Sequence, residues 1–233
     1  MSNLELKNII DCSLVSSAQV NSKINDLYFQ GFKQVVLKNV LDKKGLLNSL
    51  STGIKVEIMG DVTSSLGNNT SNVKVIVNGD VGENSASCTK SSKFTVLGFC
   101  GNEFGNDSES SEFYLLKNCG GHCFSSIVSS KVVIGGTPGN SFLTGAKASL
   151  AVILNMKGGT LFLEKDLAYM QDSKDIVLYV RGKVDVLDKA LSCNPADESD
   201  EDKYLPLISE FARLFKCSLS EIKSLPFYKL TTK

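Results

Sequence analysis

The sequence predicts a mainly β protein, a β-helix (β-solenoid) of nineteen-residue coils with capping helices at both termini. The first observation is a nineteen-residue pattern that recurs six times, without insertion or deletion, between residues 56 and 162. A second is that nineteen residues are too few for a strand plus a packed helix, but suffice for one solenoid coil. A third is that apolar residues alternate at the start of each copy, as in a strand that buries one face.

The first and third positions of each copy point to the same side of the predicted strand, because side chains alternate along it. Stacked coils lie about 4.8 Å apart, so these positions are expected to form ladders that fill the interior. The first positions are Val56, Val75, Phe94, Phe113, Val132 and Ala151. The third positions are Ile58, Val77, Val96, Leu115, Ile134 and Ile153.

Glycine dominates the fifth and eighth positions, where bends are expected because glycine permits positive φ and close backbone approach. The fifth positions are Gly60, Gly79, Gly98, Lys117, Gly136 and Asn155. The eighth positions are Thr63, Gly82, Gly101, Gly120, Gly139 and Gly158. Lysine adopts left-handed backbone geometry less readily than asparagine, so the coil at Lys117 is expected to be locally irregular.

The N-terminal part, residues 1–53, is expected to hold a helix and a first strand. Ser17 is the predicted N-cap of a helix that stops at Gly31. Apolar residues at Val35 and Leu37 match the repeat out of phase, which indicates a first coil with a longer step. The helix is expected to cap the open end of the solenoid.

The β-helix is expected to cover residues 54–190, with residues 175–187 as a last coil, and residues 191–233 to form a helical tail of the same single domain. Residues 194–203 are polar and acidic, which is typical of a connector. A helix is predicted from Tyr204 to Phe215, and Ser218 with Glu221 predicts a capping box that opens a short final helix. This tail is the predicted cap at the other end.

The net charge and the number of cysteines limit the classes of function that the chain can have. Lys+Arg and Asp+Glu both total 25, so the zero net charge disfavours nucleic acid and anionic membranes as partners. Seven cysteines, an odd number, are scattered along the chain, which argues against a secreted disulfide framework. No signal-peptide pattern precedes the repeat, and the expected location is the cytoplasm.

The repeat resembles the GXGXG repeat that marks the C-terminal domain of the glutamate synthase large subunit and one of the subunits of formylmethanofuran dehydrogenase. The segments that carry the resemblance are VIVNGDVG, FTVLGFCG and VVIGGTPGNSF. It covers about residues 15–190, and Thr63, Lys117 and Asn155 depart from it where the family favours glycine. The resemblance implies a right-handed single-stranded β-helix that is not the redox centre of its oxidoreductase, since flavin, iron–sulfur cluster and glutamine-hydrolysing nucleophile belong to other domains.

A cluster at Cys119, His122 and Cys123 offers at most three zinc ligands, whereas a structural zinc site needs four. We interpret it as a bend, so no catalytic, cofactor-binding or metal-binding residue is assigned and no cofactor is expected. Cys100 and Cys119 share the seventh position, close enough in neighbouring coils for a disulfide. A ladder of reduced thiols is the favoured interpretation.

Other candidate motifs are interpreted as solenoid bends. Residues 136–140, GTPGN, lack the Lys-Ser/Thr pair of a phosphate loop, and GDVGENSAS is only a fragment of a dinucleotide fingerprint with no helix after it. A free-standing hydrolase of the esterase type is the alternative function. It would need a nucleophilic serine, Ser125 or Ser141, beside His122, the only histidine.

The second and fourth positions, which point outward, are also largely apolar, and a solvated face should be polar. A cover for Leu97, Leu116, Val133 and Leu154 could come from a chain terminus, a second copy or a partner subunit. We expect a second copy or a partner of the amidotransferase or flavin-synthase type. The leading function is therefore a non-catalytic structural or assembly subunit of a glutamate-synthase-like oxidoreductase.

Overall fold

The computed structural model describes residues 8–40, 43–164 and 167–233. Its main sheet contains a run of parallel strands, one for each coil of a β-solenoid. These strands are β1 (Ile9–Asp11), β2 (Gln34–Lys38), β3 (Lys55–Met59), β4 (Lys74–Val77), β5 (Lys93–Val96), β6 (Glu112–Leu115), β7 (Lys131–Ile134), β8 (Leu150–Ile153) and β10 (Val177–Arg181). The predicted β-solenoid fold class is confirmed.

The other elements complete the C-terminal end and flank the sheet. The antiparallel strands β13 (Phe227–Thr232) and β12 (Leu191–Pro195) extend the main sheet beyond β10. The short strands β9 (Leu161–Leu163) and β11 (Val184–Val186) form a second parallel sheet. The helices are α1 (Ser17–Phe29), α2 (Glu198–Phe215) and α3 (Leu219–Ile222).

Strand register confirms the nineteen-residue step from β3 to β8, because each first residue pairs with the residue nineteen positions later. The step from β2 to β3 is 21 residues, as the lengthened first coil predicts. The step from β8 to β10 is 27 residues. Residues 155–175 therefore include eight residues beyond a regular coil.

The interior ladders are confirmed. The predicted stack of third positions, Val77, Val96, Leu115, Ile134 and Ile153, is fully buried. Larger rings fill the middle coils, with centroids of contacting rings 5.1 to 6.4 Å apart. This aromatic stack consists of Phe94, Phe104, Phe113, Phe124 and Phe142. Buried apolar area of this kind is the main favourable term in folding.

Four buried serines form a polar ladder at the bend before the strands: Ser92, Ser111, Ser130 and Ser149. Each Oγ donates to the carbonyl two residues earlier, at 2.8 to 3.0 Å. Each also accepts the backbone N–H of the residue nineteen positions earlier, at 3.0 to 3.3 Å. These hydroxyls are satisfied, as buried polar groups must be, and they join each coil to the next.

Left-handed residues recur at fixed positions, and most of them are not glycine. One such column, with φ between 53° and 58°, consists of Ser65, Asn84, Glu103, His122 and Ser141. Among the fifth-position glycines only Gly60 has positive φ, at 122°. Positive φ, one of the two expected reasons for glycine at the fifth and eighth bends, is therefore wrong for most coils. In those coils glycine is required for the other expected reason, the close approach between neighbouring coils.

Two sequence expectations about individual coils are wrong. The coil at Lys117 is regular: its strand keeps the nineteen-residue register on both sides. The sixth copy leaves the pattern after Ile153, so Gly158 and Phe162 do not stack on the preceding coil. Phe162 lies in β9 with 51% of its surface exposed, and the backbone N–H of Met170 donates to the carbonyl of Phe142 in its place.

The N-terminal helix α1 takes the place of a coil before the first regular one. Its N-cap is Ser16, one residue earlier than predicted, in a capping box with Gln19. Val20 and Ile24 are buried in the solenoid core, and the Asn21 Oδ1 atom accepts the N–H of Leu47 at 2.8 Å. As predicted, this helix covers the N-terminal end of the core.

The helix α2 begins at Glu198, six residues before the predicted start. Asp197 is its N-cap and forms a reciprocal capping box with Asp200, so the acidic residues form the first turns of the helix and not a connector. Negative charges suit this end of a helix dipole. Ser218 caps α3 through the N–H of Glu221, at 3.2 Å.

Candidate functional site

The predicted cluster at Cys119, His122 and Cys123 does not converge on one point. Both cysteines are buried in the solenoid interior, whereas His122 is exposed. His122 occupies the left-handed column described above, with φ 57°. Alternate residues of this segment therefore point in opposite directions, in and out of the coil. Across the described residues, no three His, Cys, Asp or Glu side chains are grouped so that they could hold a metal ion.

Three thiols lie together inside the middle coils. Cys100 and Cys119 pair in register on neighbouring coils, and the Cys123 Sγ atom donates to the carbonyl of Gly101 at 3.3 Å. Burial raises the pKa of Cys100 and of Cys119 well above the usual value. A hydrogen bond from Cys119 lowers the pKa of Cys123, against the effect of burial. All seven cysteines are free, as the predicted ladder of reduced thiols requires.

The serines proposed as nucleophiles form no hydrogen bond with the imidazole in the described structure. The Ser125 Oγ atom donates to the backbone carbonyl of His122 at 3.2 Å. Ser141 follows His122 in the next coil and shares its left-handed geometry. Hydrogen bonds made by the described side chains include none between the His122 ring and either hydroxyl, so no nucleophile–base pair is assembled here.

The two glycine-rich motifs lie in coil bends. In residues 136–140 the N–H of Gly139 donates to the carbonyl of Cys119 at 3.0 Å, which joins two coils. In the segment that starts at Gly79, the N–H of Asp80 donates to the Asp61 carboxylate at 2.7 Å. Neither motif opens a helix in the described structure, in agreement with the interpretation as bends.

The outward face of the main sheet carries a second apolar cluster outside the solenoid core, and α2 lies against its β6–β10 half. The apolar side of α2 packs on Tyr114, Val133, Val152, Leu154 and Tyr179. The α2 residues buried in this contact are Tyr204, Leu207, Ile208, Phe211 and Ala212. Phe211 fills the space left by a glycine in the outward column, because a Cβ at Gly135 would meet the ring at 2.9 Å.

This arrangement corrects the expectation that another chain must bury the whole face. Val133 and Leu154 are buried by the chain's own helix, and Leu97 and Leu116 are half-buried beside it. The C-terminal helix therefore seals a sheet face and not the coil end. The antiparallel strands β13 and β12 occupy that end instead.

Two carboxylates of α2 fix the helix to the solenoid. Glu210 accepts from Lys93 of β5 at 2.6 Å and from Arg213. Buried Asp200 accepts from the Tyr179 hydroxyl at 2.8 Å and from the Lys229 ammonium at 2.9 Å. Sequence reasoning missed both residues. The pair Asp197 and Asp200, spaced as a capping box, was the signal that a helix begins there.

The helix α2 reaches only the β5 edge of the β2–β5 half of the same face, through the Lys93–Glu210 ion pair, and leaves the rest of that half uncovered. It presents a mixed surface in which Met59 is 45% exposed and Ile76 and Leu97 are half-buried. The amide of Asn78 donates to Glu57 at 2.9 Å within this surface. The outward face is thus divided into a sealed half and an open half.

A separate cavity of about 470 Å³ lies beyond the end of β10. The loop after β8, the turn between β10 and β11, and the segment before β13 enclose it. Its polar lining includes Arg181 and Lys183, and its apolar lining includes Leu225, Pro226 and Tyr228. No feature of the repeat pointed to this cavity, because it is formed by the residues that interrupt the repeat.

In comparisons with known proteins, no family model matches this chain, and no curated protein sequence matches it either. The resemblance to the glutamate synthase repeat thus rests on the residues quoted for it. Of the helices in the described structure, none combines the length and the apolar character needed to cross a membrane.

Proposed function

We propose that this chain is a non-catalytic structural or assembly subunit that acts in the cytoplasm within a glutamate-synthase-like oxidoreductase complex. The observation that carries the proposal is the division of the outward sheet face. One half is sealed by α2, while the β2–β5 half leaves Met59, Ile76 and Leu97 partly accessible on a sheet of stacked parallel strands. Partly apolar surface of this kind on a rigid scaffold favours docking of another protein.

The arrangement of reactive side chains supports the same proposal. Thiols with raised pKa values lie in the interior, and the His122 ring lies outside, away from them. The repeat then serves to hold a surface in fixed geometry. The partner that we propose for the open half is an amidotransferase- or flavin-synthase-type subunit, with a second copy of this chain as the competing occupant.

Affinity purification of the tagged chain from its natural host tests this proposal. The double variant Met59→Glu with Leu97→Glu places two charges on the open half, and Lys147→Glu, on an exposed edge of the solenoid, is the matched control. The wild type and the control are expected to elute with a flavin-absorbing or glutamine-hydrolysing subunit. The double variant should elute alone, with an unchanged circular dichroism spectrum.

Light scattering on the eluted species separates the outcomes. A homodimer that the double variant dissolves would replace the proposed partner with a second copy. A wild-type chain that elutes as a monomer, with neither partner activity, would contradict the proposal. His122→Asn keeps a residue that tolerates left-handed geometry and is expected to leave the fold and the complex intact. Loss of a hydrolysis rate in that variant would contradict the non-catalytic role.

A further inference from the structure

The cavity beyond β10 is lined by a buried basic residue, Arg181. Arg181 is 5% exposed, and its guanidinium stays charged at neutral pH although burial lowers its pKa. The Nε atom donates to the Ile222 carbonyl at 2.6 Å, and Nη2 donates to the Glu221 carbonyl at 3.0 Å and to the Ser224 hydroxyl. These acceptors lie at the end of α3, so Arg181 also holds that helix.

The guanidinium has binding capacity left. Its Nη1 atom donates once, to the Leu154 carbonyl at 3.3 Å, so four of the five N–H groups have acceptors in the described structure. All four acceptors are neutral. No described carboxylate lies within ion-pair distance of Arg181. The charge of Glu221 is near enough to raise the pKa of Arg181, but Glu221 does not line the cavity.

The rest of the lining adds positive charge and space. Lys183, two residues after Arg181, is exposed at the cavity, and no described carboxylate pairs with it. Gly158 and Gly159 have φ values of 76° and 93°, and a Cβ on either would meet nothing within 4 Å. Two basic residues thus line an open cavity whose described lining contains no acidic side chain. A buried charge without a counter-ion is costly, and an anion would relieve this cost.

We propose that this cavity binds a small organic anion, with its carboxylate or phosphate group between Arg181 and Lys183 and its apolar body against Leu225, Pro226 and Tyr228. The guanidinium contributes the remaining N–H of Nη1, and the lysine contributes a mobile ammonium. The apolar wall favours an anion with a ring or a short hydrocarbon chain over an inorganic ion. This site is independent of the proposed docking surface, which lies on the β2–β5 half of the sheet.

Titration of the purified full chain with phenyl phosphate, benzoate, inorganic phosphate and neutral benzyl alcohol tests the proposal. We expect calorimetry to detect one site for at least one of the two aromatic anions, weaker binding of inorganic phosphate, and none of benzyl alcohol. The Nε–H resonance of Arg181 should shift on binding. Which aromatic anion binds more tightly identifies phosphate or carboxylate as the preferred head group.

Variants then locate the site. Lys183→Ala should weaken binding by roughly tenfold, because a charge-assisted hydrogen bond is lost, and Lys183→Glu should abolish it. Both leave the buried Arg181 contacts in place. The control Lys189→Glu removes an exposed lysine that does not line the cavity and should bind as the wild type does. Absence of binding by every anion, or equal binding by the wild type and Lys183→Glu, would overturn the proposal.

Discussion

At the scale of single residues, a side-chain oxygen and the backbone of the preceding coil together mark the fifth positions that need glycine. An Asp or Asn oxygen in one coil accepts an N–H of the next coil, at 2.7 to 3.0 Å. The same oxygen occupies the space that a Cβ would need at the fifth position of that next coil. The pairs are Asp61 with Gly79, Asp80 with Gly98, and Asn118 with Gly136. Lys117 and Asn155 occupy the fifth position of coils whose preceding coil has Phe99 or Thr137 in place of the Asp or Asn. A side chain therefore fits at these two positions.

This relation predicts the effect of alanine at the fifth position. Gly136→Ala should lower the free energy of unfolding by about 1–3 kcal/mol, because its Cβ would collide with Asn118 and with the backbone of Lys117. Lys117→Ala, at the same position one coil earlier, should change it by less than about 0.5 kcal/mol. Denaturant titrations measure both. Adding Asn118→Ala should offset part of the Gly136→Ala cost, and purely additive effects would contradict this account.

At the scale of elements, two carboxylates attach α2 to the solenoid. Burial raises the pKa of Asp200, but hydrogen bonds from Lys229, Tyr179 and the backbone N–H of Asp197 lower it to about 2. Hydrogen bonds from Arg213, the largest cause, and from Lys93 lower the pKa of Glu210 to about 2 against the effect of burial. Both groups therefore stabilise the attached helix in their ionised form.

The pH dependence of stability follows from the sign of these shifts. A carboxyl whose pKa is depressed on folding stabilises the protein above its unfolded pKa, near 4, and this contribution is lost as the pH falls through about 2. Asp200→Asn should remove about 2 kcal/mol at neutral pH and flatten the loss of stability between pH 4 and 2. Asp202→Asn, exposed on the same helix, is the control. Parallel stability curves for the two variants would contradict the role of Asp200.

The sequence predicts the elements of the repeat well and those outside it less well. Strand positions follow from alternation and a fixed step, because each coil meets an almost identical neighbour. The true start of α2 was missed because acidic residues favour both a solvated connector and the first turn of a helix. The continuation through Gly158 to Phe162 was wrong because the extra residues after β8 move the next strand to Val177. The cavity at Arg181 depends on three such irregular segments and has no periodic signal.

At the scale of the whole molecule, the chain uses its own C-terminus to cover half of an apolar sheet face. Such a face on a solenoid is a site where other chains associate. The Phe211 ring sits on Gly135 at the centre of the covered half, and it is fully buried. Coverage by α2 thus leaves only the open half for the partner that we propose.

Phe211→Glu should separate α2 from the sheet. It places a charge in the buried contact and removes a ring, at a cost of about 3–5 kcal/mol. We expect faster proteolysis near residue 197 and concentration-dependent self-association in light scattering, since Val133 and Leu154 become exposed. Asp202→Ala, on the exposed side of α2, should behave as the wild type does. A Phe211→Glu chain that stays protected and keeps the wild-type mass would refute the covering role.

The constant step between strands also has a mechanical consequence. Every regular coil is joined to its neighbours by backbone pairing in the same register, and four steps add the same serine hydrogen bond, so a chain pulled from one end meets a similar backbone resistance at each turn. Each nineteen-residue turn that peels away lengthens the tether by roughly 60 Å of extended chain. The extra residues after β8 and the longer step before β3 break this uniformity. Under force, the regular coils between them should unfold in steps of one turn each.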